Sequence, residues 1–219
     1  DDYWSTDKLK KQINAFTNLD DEYALIYTNY NDFSDQKLND FKRVSVRSFN
    51  KCKNQLTKYF CKDGPIVPSS ILVRSSVIKE IGSFDENLKY YEDTDFYLKI
   101  LEKHKIFHIN DFSCFKRRHQ NQITNKLYKL IPYGDMVIDK AILRNKNLLK
   151  YKKIRQSRNR NKASIHAKIH LNKNEIAYKL IKNSLIINPL SFNSWIILIF
   201  ILFPNFIGFF IFKLFKLIK

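Results

Sequence analysis

At 219 residues the chain has room for one domain of ordinary size, or for a domain and an appendage. A hydrophobic content of 44% with only four Gly and five Pro excludes a disordered or low-complexity chain. Net charge is +18 and uneven: residues 1–125 hold 20 basic and 18 acidic side chains, residues 126–219 hold 19 basic and three acidic. A near-neutral first part and a strongly basic second part point to one chemical and one electrostatic task.

In chain order, Thr6–Asn18 is predicted as a helix, because Leu9, Ile13 and Phe16 recur at i, i+4 and i+7 and Ser5 or Thr6 can cap its start. The apolar run Ala24–Thr28 has strand length, and the polar residues Asn29 to Asn39 that follow read as a loop. Val44–Val46 reads as a short strand, while Lys51–Cys61 has no clear period. Ile71–Val73 is a predicted buried strand, and Ser75–Ile81 a helix closed by Gly82. Asp93–Lys103 is a second helix with Phe96, Ile100 and Leu101 on one face, followed by strands at Lys105–Ile109 and Phe112–Phe115. This alternation predicts an α/β layer.

Strand signals vanish from Lys126 onward. Leu127–Lys153 and Ala163–Asn188 carry helical spacing, and Pro189 ends the latter. Trp195–Phe212 is a run of 18 residues without charge, at the lower limit for a bilayer span, with Pro204-Asn205 in its middle. Lys213, Lys216 and Lys219 then share one helical face, a pattern for lying in the headgroup plane rather than crossing it. A hairpin buried in the protein's own core is the alternative. Cys52, Cys61 and Cys114 show no C-x-x-C spacing, which argues for reduced thiols, and no basic-then-apolar signal pattern opens the chain.

Three groups of residues can carry chemistry. Asp1-Asp2 precede Tyr3-Trp4 and a helix, and paired carboxylates can hold a divalent cation or simply precede a helix. Glu92-Asp93-Thr94-Asp95 opens a helix after Tyr90-Tyr91. A carboxylate there is rigid and can act as a base, its basicity raised by the neighbouring Glu92, but it also suits the helix dipole. Arg117-Arg118-His119 at a strand end can grip phosphate or complete a metal shell, or form a solvated loop. His166 and His170, at i, i+4 with no third ligand, read as interfacial.

Taken together, DDYW, then GPIVPSSILVR…IGSFDENLKYYEDTDFYLKI, then KRRHQNQIT resemble the second half of family 2 inverting glycosyltransferases with the GT-A fold. The resemblance covers residues 1 to about 125. It implies a partial GT-A-type, Rossmann-like sheet with flanking helices at 1–125 and a basic helical extension at 126–219, whose apolar tail 195–219 associates with a membrane. It places Asp1 at the second acid of the metal-binding D-x-D, Asp93 at the general base, and Arg117 and His119 at R-x-H. Lys99 stands where the family often has Arg. The nucleotide-binding half that would precede Asp1 is expected upstream, making this chain a fragment inactive alone.

The implied reaction moves a sugar from a nucleotide-diphosphate donor to a glycan or lipid-linked acceptor, in cell-surface polysaccharide synthesis. Asp93 would be catalytic, and Trp4, Glu92, Asp95 and Arg117 would bind substrate. Asp1 and His119 would hold Mg²⁺ or Mn²⁺. The enzyme would sit on the cytoplasmic face of a membrane, peripheral or monotopic, against anionic lipid and without nucleic acid. Two rivals remain: a nucleic-acid-binding protein built on the basic half, and a noncatalytic membrane-associated relic of the enzyme.

Overall fold

The computed structural model describes residues 2–34, 37–62, 64, 66–119 and 122–203. It divides into two compact units, 1–122 and 123–219.

The first unit is the expected α/β layer, a five-stranded mixed sheet with flanking helices. Its elements are β1 (Tyr3–Trp4), α1 (Lys8–Thr17), β2 (Tyr23–Ser34), β3 (Lys37–Val44), α2 (Gln55–Lys62), β4 (Leu72–Val73), α3 (Ser75–Ile81), α4 (Glu92–Lys103) and β5 (Lys105–Arg118). β5 lies between β1 and β2, parallel to β2 and antiparallel to β1. β2 also takes β4 beside Leu25–Ile26 and β3 beside Tyr30–Ser34, both antiparallel. Ala24, Leu25, Ile26, Tyr27, Ile100 and Ile106 are wholly buried, so β2, β5 and α4 enclose the core.

Two expectations fail here for physical reasons. The polar stretch after Thr28 is not a loop: β2 runs to Ser34 and turns into β3. Its asparagines are buried because the β2–β5 register shifts between the Thr28–Ile109 and Tyr30–Cys114 pairs, so part of β5 bulges out. Asn31 Nδ2 donates to the Phe112 carbonyl at 2.6 Å, replacing a bond a regular ladder would have made, and Asn29 Nδ2 meets the Asn110 side chain at 2.7 Å across the bulge. The two strands expected at 105–109 and 112–115 are thus one strand interrupted by this bulge.

The second failure is the face of α1. Leu9 and Ile13 are exposed, whereas Lys8 and Gln12 are fully buried. Lys8 Nζ donates to Gln12 Oε1 at 2.7 Å and lies 4.0 Å from the centre of the Trp4 ring, and Gln12 Nε2 donates to the Ser70 carbonyl. A saturated polar relay thereby occupies the side that periodicity assigned to water.

The other edge of β5 is closed by side-chain amides. Gln55, in the otherwise unreadable α2, accepts from the Ile106 N–H at 2.8 Å and donates to the Ile106 carbonyl at 3.0 Å. Asn50 does the same for His108, accepting at 2.7 Å and donating at 2.9 Å. Two amides thus stand in for a missing strand neighbour.

In the second unit the two helices expected over 127–153 and 163–188 are redrawn. They become 3₁₀ turns at Ile123–Leu130 and Lys146–Tyr151 with helices α5 (Ile131–Arg144), α6 (Lys152–Ile169) and α7 (Asn174–Ile187), then α8 (Phe192–Leu202). Asn172, with φ +51°, turns the chain between α6 and α7 in the left-handed conformation that Asn tolerates. The polar start of α6 hid its helix from periodicity. Its buried side is lined by Ser157, Asn161 and Ser164, bonded across to α7 and α8 through Ser184, Ser194 and the Ala177 carbonyl. Apolar packing completes the bundle, with Ala167, Ala177, Ile181, Ile197, Phe200 and Ile201 as its centre. Lys168 Nζ donates to the Ile201 and Phe203 carbonyls, both at 2.9 Å, and closes the end of α8. No described helix is long and apolar enough to cross a membrane. Pro204-Asn205 and Lys213, Lys216 and Lys219 lie outside the described residues.

Gln55→Ala strips partners from buried backbone groups at Ile106 and Phe49, and should lower unfolding free energy by about 2–4 kcal/mol in a urea titration. A change well under 1 kcal/mol would show that the edge does not need it. A second expectation concerns pH. His108 Nε2 is 2.9 Å from Asn29 Oδ1, and burial holds its pKa below the usual imidazole range. The unfolded chain therefore takes up the proton first, and stability is lost as pH falls below 6.5. His108→Gln should flatten part of that loss. Parallel stability–pH curves for the two proteins would refute it.

Candidate active site

The acidic knot is placed by backbone geometry. Gly82, φ +79°, ends α3, and the turn that follows buries Leu88. Tyr91 then adopts φ +64°, a left-handed conformation costing a bulky residue on the order of 1–2 kcal/mol, and α4 begins at Glu92. Glu92, Asp93 and Asp95 occupy the first turn, where the unpaired N–H groups of the helix favour negative charge. The Thr94 N–H donates to Asp93 Oδ1 at 2.6 Å. Because α4 leads into β5 through one residue and β5 runs back along the sheet, the start of α4 and the end of β5 share one end of the unit.

At that end the Asp2 carboxylate accepts the Arg117 N–H at 3.0 Å and the Ser69 hydroxyl, and Trp4 Nε1 donates to the Ser69 carbonyl at 2.6 Å. Tyr3 pairs with Phe115, so one step on Asp2 stands across from Lys116. Lys116 is in register with Asp32 on β2, and its ammonium lies 5.7 Å from the Tyr30 ring. Arg118, on the same strand face, grips Asp32 through both carboxylate oxygens at 3.0 and 2.9 Å.

Charge coupling ties these groups to the knot. Burial, then Arg118, pulls the Lys116 pKa down, while Asp32, Asp2 and Asp93 oppose that pull. The Asp32 hydrogen bond raises Arg118. Burial raises Tyr97 well above the usual phenol range, reinforced by the charges of Asp93 and Glu92. Among the described residues the buried Tyr97 hydroxyl has no hydrogen-bond partner.

The expected site residues fare differently. Asp93 and Glu92 are half-buried at the mouth of α4, and Trp4, 47% exposed, lies beside Asp2. Asp95 is fully buried, 3.5 Å from the Lys99 ammonium, which also bonds the Ser83 carbonyl. Substrate contact, expected of Asp95, does not fit that burial, and the residue instead ties α4 to the turn after Gly82. Arg117 is half-buried opposite Phe33, so strand alternation sends it to the face away from Lys116, although its N–H meets Asp2. His119 is exposed just past β5, and Asp1 lies outside the described residues. Among the described residues no three His, Cys, Asp or Glu side chains group closely enough to hold a cation. Sequence reading missed Lys116, Asp32 and Ser69. The alternation of Lys116 and Arg118 on one strand was a visible signal, whereas Asp32 stood in an assumed loop.

A mixed sheet with flanking helices and charged groups gathered at one end is a GT-A-like arrangement. The chain belongs to glycosyltransferase-like family 2, whose profile matches residues 1–183 and so continues into the helical unit. It is 29% identical over 126 residues to an uncharacterised glycosyltransferase of Rickettsia typhi, covering 57% of this chain and 39% of that protein. It is likewise 29% identical over 138 residues to an uncharacterised glycosyltransferase of Rickettsia prowazekii, covering 62% and 43%. The chain therefore spans less than half the length of these relatives.

Proposed function

We propose that this chain carries the acceptor side of an inverting glycosyltransferase. The donor is a nucleotide-diphosphate sugar and the acceptor a hydroxyl of a glycan or lipid-linked glycan, in cell-surface polysaccharide synthesis. The observation that supports it is Asp93 at the start of α4, electrostatically coupled to the Asp2–Lys116 end of the sheet. Asp93 takes the proton of the acceptor hydroxyl as its oxygen bonds to the anomeric carbon. The anomeric carbon–diphosphate bond breaks, and the nucleoside diphosphate leaves with the electron pair. Glu92 stands beside the base, Trp4 offers the sugar an apolar face, and Lys116 supplies positive charge toward the phosphates. Asp95 acts by holding α4 through Lys99.

Mg²⁺ or Mn²⁺ belongs to this reading as a cation held by Asp1 and His119, and it would neutralise the leaving diphosphate. The enzyme works at the cytoplasmic face of a membrane, peripherally or monotopically.

Asp93→Asn in the full-length enzyme should reduce transfer by about 10²–10⁴-fold while leaving the unfolding midpoint in place. Turnover close to that of the parent protein would remove Asp93 from this role.

A further inference from the structure

Apart from Asn193 and Ser194 in its first turn, helix α8 is wholly apolar, yet it is buried on one side only. Ile196, Ile197, Phe200 and Ile201 pack inward, while Phe192, Trp195, Ile199 and Leu202 are 69%, 50%, 40% and 62% exposed. At about 100° per residue these four fall in a single arc. Ile186 at the end of α7 and Leu190 in the connection, 70% and 94% exposed, extend it. Residues 183–212 contain no charged side chain. A continuous exposed apolar face of this kind marks an interaction surface.

Three further features narrow the partner. Trp195 Nε1 donates to the Pro189 carbonyl at 2.9 Å, so the indole needs no water for its polar atom. Lys168 bonds the Ile201 carbonyl of α8 and that of Phe203 just past it, which lessens the cost of placing this helix end against hydrocarbon. Charge then discriminates. All three acids of residues 126–219 are already paired: Asp135 with Arg160 at 2.7 Å, Asp139 with Lys152 at 2.7 Å and Glu175 with Lys179 at 2.6 Å. With 19 basic side chains against these three acids, residues 126–219 carry a net positive charge that favours an anionic partner. A second copy would bring the same positive excess, and a nucleic acid offers phosphate but no apolar phase for Trp195 and Leu202. With 11 residues, about 16 Å long, α8 fits along a bilayer surface rather than across it.

We propose that the exposed face of α8, with Ile186 and Leu190, beds into an anionic phospholipid surface with its axis parallel to the membrane plane. This gives residues to the membrane location proposed above. Its test measures no transfer, so its failure leaves the Asp93 reading untouched. The full chain is mixed with phosphatidylcholine vesicles with and without phosphatidylglycerol, and binding is read by cosedimentation and tryptophan emission. The expected result is salt-sensitive binding to the anionic vesicles, with blue-shifted emission quenched by brominated lipid. In Trp195→Phe, which leaves Trp4 in place, that quenching should vanish while the protein still sediments. Phe192→Ser with Leu202→Ser should weaken partitioning by about tenfold or more, with an unchanged circular dichroism spectrum. Vesicle binding without quenching of Trp195 would assign the contact to another segment and overturn the proposal. Self-association or DNA retention in the absence of vesicle binding would overturn it equally. Trp195→Phe decides the matter even if the double variant fails to fold.

Discussion

The first unit depends on how the backbone of β5 is satisfied. One side of this strand ladders onto β2, but the register breaks where the strand bulges, and Asn29 and Asn31 bridge the gap. On its other side Gln55 and Asn50 pair with Ile106 and His108 before β1 takes over near Phe115. Four side-chain amides thereby support one strand as it passes from the apolar core to a charged end, three of them by bonding its backbone. Because the strand is held along its length, its last residues are fixed against Asp2 and the start of α4.

That fixed end brings opposite charges together in a partly buried place. Arg118 is matched by Asp32 through two hydrogen bonds, whereas Lys116 stands among Asp2, Asp32 and Asp93 with its ammonium near the Tyr30 ring. The left-handed Tyr91 sets the direction from which α4 approaches them, and Lys99 anchors the helix through Asp95. The acid assigned to chemistry and the acid assigned to architecture are two residues apart, and burial is what separates their tasks. A left-handed residue two positions before the proposed base matches the wider tendency for strain to gather at functional sites.

How much of this was legible in sequence differs by element. The helices at 75–81 and 93–103 were visible, because their apolar spacing and the closing Gly82 act locally. The approach of residue 2 to the end of β5 had no local signal, since no local pattern encodes a contact across 115 positions. Polar side chains buried by pairing with one another defeated periodicity. Lys8 with Gln12, the asparagines of β2, and the Ser157–Asn161 side of α6 all read as solvent-facing. Hydropathy scores a residue type, whereas burial follows from whether its partners are present.

The two units also differ in how far along the chain their partners lie. β2 pairs with β5 across about 80 residues, and Gln55 reaches 51 residues to Ile106, so the sheet closes only after long loops have been drawn in. In the second unit α6, α7 and α8 meet neighbours close by in sequence. Loop-closure entropy is therefore a larger cost for the sheet than for the bundle. At the charged end of β5 the Asp2–Arg117 contact closes a loop of 115 positions and carries a large share of that cost.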